Sequence, residues 1–242
     1  MIACAGTGIA QDPAAVFAEA NGLYQDGQFP EARDRYESVL ANGLESSSLF
    51  LNLGNTYFRM QDMGRAILNY ERGLRLDPND EDLLYNLNLA TMMTVDKIEP
   101  VPRLFIWDYW DQVKAFFSPE GLFWSAWSLY VILLAALAVL LTARTFAVRR
   151  AGFLAMIGSG VLFVILLVIG IGRYSDLSRD DQAVILPKLV AVKNSPDLRD
   201  TDAFVLHAGT RVVIVDALGD WIRIRLADGK VGWVERAATE VI

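Results

Sequence analysis

The chain has 242 residues, 53% of them hydrophobic, with a formal net charge of −7, one cysteine and one histidine. A single cysteine excludes an internal disulfide and a cysteine metal cluster. Residues 1–100 carry 7 basic and 15 acidic side chains, which argues against a nucleic-acid partner, because phosphate contacts need a basic face.

Residues 1–12 have no basic n-region and no long apolar run, yet Gly8-Ile9-Ala10 ahead of Gln11 has the small residues that end a signal peptide. This segment is expected to be either a signal-peptide remnant or a disordered polar leader, with Cys4 discarded or inert.

Residues 13–95 contain an internal repeat. Ala32 and Ala66, Tyr36 and Tyr70, and Leu40 and Leu74 recur at a spacing of 34. The second copy adds Leu53-Gly54, Tyr57, Gly73 and Pro78; the first has Ala20, Leu23 and Val39 in the same roles and Leu44 where the second has Pro78. Period and pattern resemble the tetratricopeptide repeat, a helix-turn-helix in which small residues let the two helices approach. Residues 81–95, with Leu83, Leu84, Leu87 and Met92 at apolar spacing, should form a capping helix, because repeats cannot bury their faces alone. The resemblance implies a concave groove lined by Phe17, Asn21 and Tyr24, then Leu51, Asn55, Phe58 and Arg59, with Tyr85 and Leu89 from the cap. Asn21 and Asn55 occupy equivalent positions. Their amides either read the backbone of an extended peptide or satisfy neighbouring helices. No lysine precedes Lys97, so the carboxylate clamp of some tetratricopeptide proteins is not carried over.

Residues 96–120 lead toward an apolar region. Pro100 and Pro102 stop the preceding helix. Residues 103–117 then place Ile106, Tyr109, Trp110, Val113, Phe116 and Phe117 at helical spacing, with Asp108, Asp111, Gln112 and Lys114 opposite. Such a helix lies in the membrane interface, where Trp107, Tyr109 and Trp110 suit the headgroups, or packs against the repeats. Ser118-Pro119-Glu120 reads as the cap and first turn of the next helix.

Residues 121–143 and 151–172 contain no charged side chain over 23 and 22 residues, the length a helix needs to cross a hydrocarbon core of ~30 Å. They are expected to form a transmembrane hairpin within 121–172. Arg144, Arg149 and Arg150 crowd the connection, which favours a cytoplasmic turn and places both flanking regions outside the cytoplasm. Ala151, Ala155 and Ser159 form a row of small residues suited to close helix packing. Neither span holds an ionisable group, so an anchor is expected rather than an ion path.

After a linker at 173–181, residues 182–242 read as short strands separated by turns. Trp221, Arg223 and Arg225 alternate with Ile222, Ile224 and Leu226, and Asp228-Gly229 suits a two-residue hairpin turn. Val190-Ala-Val192, Leu206-His-Ala-Gly209, Gly219-Asp-Trp221, Asp228-Gly229 and Gly232-Trp233-Val234 in this order resemble bacterial SH3 domains, implying a small all-β barrel. Gly209 and Gly232 would serve turns or tight packing. Trp221 with Arg223 and Arg225 is the candidate protein-binding face, the alternative being a core or rim tryptophan. His207 is expected to be exposed and inert.

The fold class is therefore a multidomain membrane protein: all-α tetratricopeptide repeats, a two-helix transmembrane hairpin and an SH3-like barrel. Tyr85-Asn-Leu-Asn-Leu-Ala90, Val95-Asp-Lys-Ile-Glu-Pro-Val-Pro102 and the aromatics Trp107 and Trp110, within this module order, resemble the BatE-like aerotolerance proteins. That resemblance implies an accessory protein of the bacterial inner membrane, working beside von Willebrand factor A domain membrane proteins and a MoxR-type ATPase. No phosphate-binding Gly-Lys-Ser/Thr loop and no nucleophile–base pair is evident, so no enzyme, cofactor or metal is expected. A scaffold binding protein partners is the expected function; the alternative is a binder of cell-wall peptide.

Overall fold

The computed structural model describes residues 12–177 and 181–242. The expectations for a signal remnant and for Cys4 fall outside the described residues. The chain divides into two compact units, one built from both of its flanks and the other from the apolar middle.

The first unit begins with two helix pairs, α1 (Pro13–Gln25) with α2 (Phe29–Ala41) and α3 (Ser47–Arg59) with α4 (Met63–Leu76); α5 (Glu81–Met92) then packs on α4. Helix starts are encoded locally. The side chains of Asp12, Ser46, Asp62 and Asp80 each accept from a backbone N–H of the first turn, satisfying donors that a helix otherwise leaves open. Recurring residues do the same work twice. Ala32 and Ala66 are fully buried, as are Tyr36 and Tyr70 in practice. Tyr36 donates to Asn21 Oδ1 at 2.6 Å, and Tyr70 to Asn55 Oδ1 at 2.8 Å. A Cβ at Gly54 would fall 2.5 Å from the Tyr70 ring, and one at Gly73 would fall 2.8 Å from Leu83. Those two glycines therefore set the helix spacing.

Among the described residues seven antiparallel strands follow: β1 (Gln182–Ile185), β2 (Leu189–Lys193), β3 (Asp202–His207), β4 (Arg211–Leu218), β5 (Trp221–Arg225), β6 (Val231–Glu235) and β7 (Thr239–Val241), in the order β3-β2-β6-β5-β4-β1-β7. Ala183, Ile185, Val192, Ile222, Ile224 and Val234 form the buried centre of its core. Gly219, at φ 57°, turns β4 into β5. Arg225 pairs with Val231 and Leu226 N donates to the Lys230 carbonyl at 2.9 Å, so the β5–β6 loop is Ala227-Asp228-Gly229, one residue longer than a two-residue Asp-Gly turn. Gly229, at φ 90°, takes the left-handed position of that loop, and the Asp228 carboxylate accepts from Lys230 N at 3.0 Å.

Helices and sheet share one packed seam. A Cβ on Gly64 of α4 would lie 3.0 Å from the Ile185 carbonyl oxygen and 3.2 Å from Leu186 Cα, so the helix meets the strand backbone directly. Val184 and Ile242 join the helical core. Arg72 donates to the Val241 carbonyl at 2.6 Å and pairs with Glu240 at 3.0 Å, Arg75 donates to the Ile242 carbonyl, and Arg211 pairs with Glu71 at 2.8 Å. Beyond α5, Ile98 packs against the sheet core and Val101 N donates to the Ala227 carbonyl at 3.1 Å. Residues 96–101, expected as the start of a linker, are thus part of the sheet's packing.

The second unit holds α6 (Phe105–Phe116), α7 (Pro119–Thr142) and α8 (Phe146–Leu177). Glu120–Thr142 and Phe146–Ser175 are long and apolar enough to cross a membrane, and only 6% and 11% of their apolar windows are buried. The core helix of a soluble fold would show the opposite. Three residues, 143–145, connect them, and Arg149 and Arg150 lie within the first turns of α8; their long stems carry the charge off the helix axis without breaking it. α8 also continues through Arg173, so residues 173–177 are helical rather than linker. Ala151 and Ala155 are exposed, whereas Gly152 and Ser159 are buried. A Cβ on Gly152 would lie 3.1 Å from Val139 Cγ1. The packing row therefore follows the helical period through 152, 156 and 159, while a strict four-residue row drifts off the face. Lys114 is buried rather than solvated: it pairs with Asp111 at 3.0 Å and, with Trp110, borders Gly172 of α8. Phe105, Ile106, Trp107, Tyr109 and Phe116 are exposed.

Candidate functional site

Phe17, Asn21, Tyr24, Leu51, Asn55 and Phe58 are half-buried on the first helices of the two pairs, Arg59 is exposed, and Tyr85 and Leu89 are exposed on α5. Phe17 packs on Tyr36 with ring centroids 5.8 Å apart, Tyr24 meets Phe29 edge-on at 5.5 Å, and the Arg59 guanidinium sits 4.9 Å over the Phe29 ring. Asn21 Oδ1 accepts from Tyr36 and from Asn52 Nδ2 at 3.0 Å, and Asn55 Oδ1 accepts from Tyr70. Burial pushes the Tyr36 phenol up to about 12 and raises that of Tyr70 as well, so both hydroxyls remain donors. Asn21 Oδ1 is therefore engaged both within its own helix pair and by Asn52 of the second, while Asn55 Oδ1 is engaged within its own pair. The amide N–H groups of both asparagines, and the second lone pair of Asn55 Oδ1, are left to offer an outside partner.

On the sheet, Trp221, Arg223 and Arg225 alternate with the buried Ile222 and Ile224 and share the outer face of β5. Register brings Trp233 of β6 beside Arg223 and Lys193 of β2 beside Trp233, with Leu218 of β4 next to Trp221. Both tryptophans are half-buried and both arginines exposed. Among the described residues, neither arginine has an ion-pair partner; Lys193 pairs with Asp202 at 2.6 Å. Trp221 is thus not a core residue. The pairing of Trp233 with this face depends on register, which composition does not reveal.

Residues 188–240 match the bacterial SH3 domain family. β1 lies outside that match, as does the docked segment at 96–101. The SH3 domain is therefore mounted on the helices by strands and contacts added at its borders. No curated protein matches the chain.

At the seam, Asp96 binds the SH3 domain's β3–β4 corner. Its carboxylate accepts from His207 N and from the Thr210 hydroxyl, each at 2.7 Å, and meets His207 Nδ1 at 2.9 Å. Partial burial opposes ionisation, but the Thr210 hydroxyl and the His207 contacts outweigh it and hold the carboxyl below its ordinary value. His207 is accordingly half-buried and engaged, contrary to the exposed, inert residue expected. Gly209, at φ 90°, lets this corner close: a Cβ there would lie 2.8 Å from both Ile67 and Thr94. Burial likewise raises the Glu71 carboxyl, with Arg211 offsetting part of the effect. Among the described residues no group of three His, Cys, Asp or Glu side chains is placed to hold a metal ion.

Proposed function

We propose that this chain is a membrane-anchored interaction protein, not an enzyme, whose two helix pairs are tetratricopeptide repeats and whose SH3 domain is a barrel presenting a second binding face. One observation carries this reading: residues on both sides of the apolar hairpin fold into a single unit. Both flanks then lie on the same side of a bilayer, which requires an even number of crossings, and α7 and α8 are two candidate spans. Arg144, Arg149 and Arg150 at their connection favour a cytoplasmic turn. The folded flanks then face the envelope at the inner membrane, with the exposed aromatics of α6 in the headgroup layer.

The helical face from Phe17 to Arg59 and the sheet face around Trp221 are the two candidate sites for protein segments. Two unpaired arginines beside two tryptophans suit a segment carrying both carboxylates and apolar groups. The BatE-like resemblance extends this to an accessory of an aerotolerance-type assembly. In the proposed orientation its direct partner is a von Willebrand factor A domain membrane protein, and a MoxR-type ATPase is reached through that partner. A second reading, capture of cell-wall peptide, is favoured by the same arginines, since wall peptides carry free carboxylates.

Single cysteines at Glu45, Thr145 and Asp216, in a Cys4→Ser background, test the topology with a membrane-impermeant maleimide on intact cells. Labelling of Glu45 and Asp216 but not Thr145 is expected; the reverse pattern overturns the orientation. A peptidoglycan pull-down with the detergent-solubilised full chain separates the two ligand readings. Retention lost on Trp221→Ala favours the wall, and no retention leaves the protein partner.

A further inference from the structure

The seam holds a cavity of about 700 Å³ that neither proposed binding face uses. Met60, Met63, Met93, Leu186 and Pro187 are among its apolar lining, and Gln61, Lys188 and His207 also line it, as do Asp62 and Arg65, which pair with each other at 2.8 Å. These residues come from the α3–α4 turn, the end of α5 and two turns of the sheet, so the cavity exists only because helices and sheet are joined. Methionine side chains are flexible and polarisable, and they accept apolar groups of varied shape.

Gln61 carries the sharpest clue. It lies 34 residues after Gly27, in the equivalent turn of the second helix pair, and it has the same left-handed backbone: φ is 62° at Gln61 and 77° at Gly27. Glycine takes that conformation freely, whereas a side chain there is strained. The second turn therefore retains, at a conformational cost, a primary amide at the cavity. Lys188 is exposed and has no ion-pair partner among the described residues. With His207 Nδ1 engaged by Asp96, Nε2 is the ring atom left for a ligand.

We infer that this cavity binds the C-terminal end of a partner peptide, with an apolar terminal side chain among the methionines and the free carboxylate on Lys188. The Gln61 amide pairs with the peptide backbone, since it both donates and accepts. A volume of this size suits a short peptide end. The inference is independent of whether the Trp221 face takes protein or wall peptide.

The test uses the full chain in detergent micelles with methyl-labelled methionine and the probe Gly-Ser-Ala-Leu-Leu, either with a free carboxylate or as the C-terminal amide. The free-carboxylate peptide is expected to shift the methyl signals of Met60, Met63 and Met93 saturably, leaving Met156 of α8 unmoved. The amide form and the Lys188→Ala variant should each bind about tenfold more weakly, the effect of losing one charge-assisted hydrogen bond. Gln61→Gly should also weaken binding while its thermal midpoint stays equal or rises, which separates a ligand contact from a role in folding. Equal binding of acid and amide peptides, shifts that spare these three methionines, no saturable binding, or unchanged affinity in Gln61→Gly would each overturn the proposal.

Discussion

The two helix pairs are copies with different attachments. Where their sequences agree, at Asn21 and Asn55, Ala32 and Ala66, or Tyr36 and Tyr70, the residues hold each pair together. Where they diverge, the second pair has become a mount for the SH3 domain. Gly64, Ile67, Arg72 and Arg75 face the sheet or its C-terminal strand, and their counterparts 34 residues earlier are Pro30, Arg33, Ser38 and Ala41. Even a shared glutamate is used differently: Glu37 accepts from Tyr57 within the helices, while Glu71 pairs with Arg211 of the sheet. Within a repeat, agreement marks internal packing and divergence marks what the copy carries.

Breaking the mount should cost most. Gly64→Val forces a branched side chain into the Ile185 and Leu186 backbone and is expected to destabilise the first unit by about 3 kcal/mol. A substitution at the equivalent position of the unmounted copy, Pro30→Ala, should cost no more than about 1 kcal/mol. Urea unfolding of the detergent-solubilised chain, followed by circular dichroism, measures both.

Asp96→Ala comes next, at about 2 kcal/mol, because it leaves the His207 N–H and the Thr210 hydroxyl without their shared acceptor. This residue also predicts a pH dependence. Its folded carboxyl is held low, so its contribution is fully present above the ordinary value of about 3.9 and is lost as pH falls through the lower folded value. Asp96→Asn should flatten that acid limb in unfolding midpoints collected across pH.

The features common to both copies should respond alike. Tyr36→Phe and Tyr70→Phe each remove one hydrogen bond to an asparagine, and a loss of about 1 kcal/mol is expected for both. A clear inequality would mean that the mount has altered the internal packing of the second pair. Smallest of all, Arg223→Ala on the exposed sheet face should change stability by less than about 0.5 kcal/mol while weakening capture of an acidic peptide in a binding titration.

Much of this organisation was legible in the chain. A 34-residue recurrence located the helix pairs, uninterrupted apolar runs located α7 and α8, and the alternation in β5 placed Trp221, Arg223 and Arg225 on one face. Those signals are local and periodic. The mount was not legible, because its contacts join residues more than a hundred positions apart: Asp96 with His207, Glu71 with Arg211, Arg72 with Val241. Pro100 and Pro102 signalled the end of a helix, but nothing periodic indicated that Ile98 packs onto a sheet formed from the far end of the chain. Gln61 stood in plain register with Gly27, and only the shared positive φ gives that exchange its meaning. In α8 a fixed spacing of four picks out Ala151, Ala155 and Ser159 and passes over Gly152, because the helical period is 3.6 residues.

Native-state hydrogen exchange on the full chain in micelles, read across low concentrations of denaturant, tests the joined unit most directly. A single cooperative unit predicts that the most protected amides of α4 and of β1, β4 and β5 converge on one opening free energy, and that Gly64→Val splits them. If the α4 and sheet amides open with separate free energies in the unaltered chain, the helices and the SH3 domain are independent bodies and the mount does not exist.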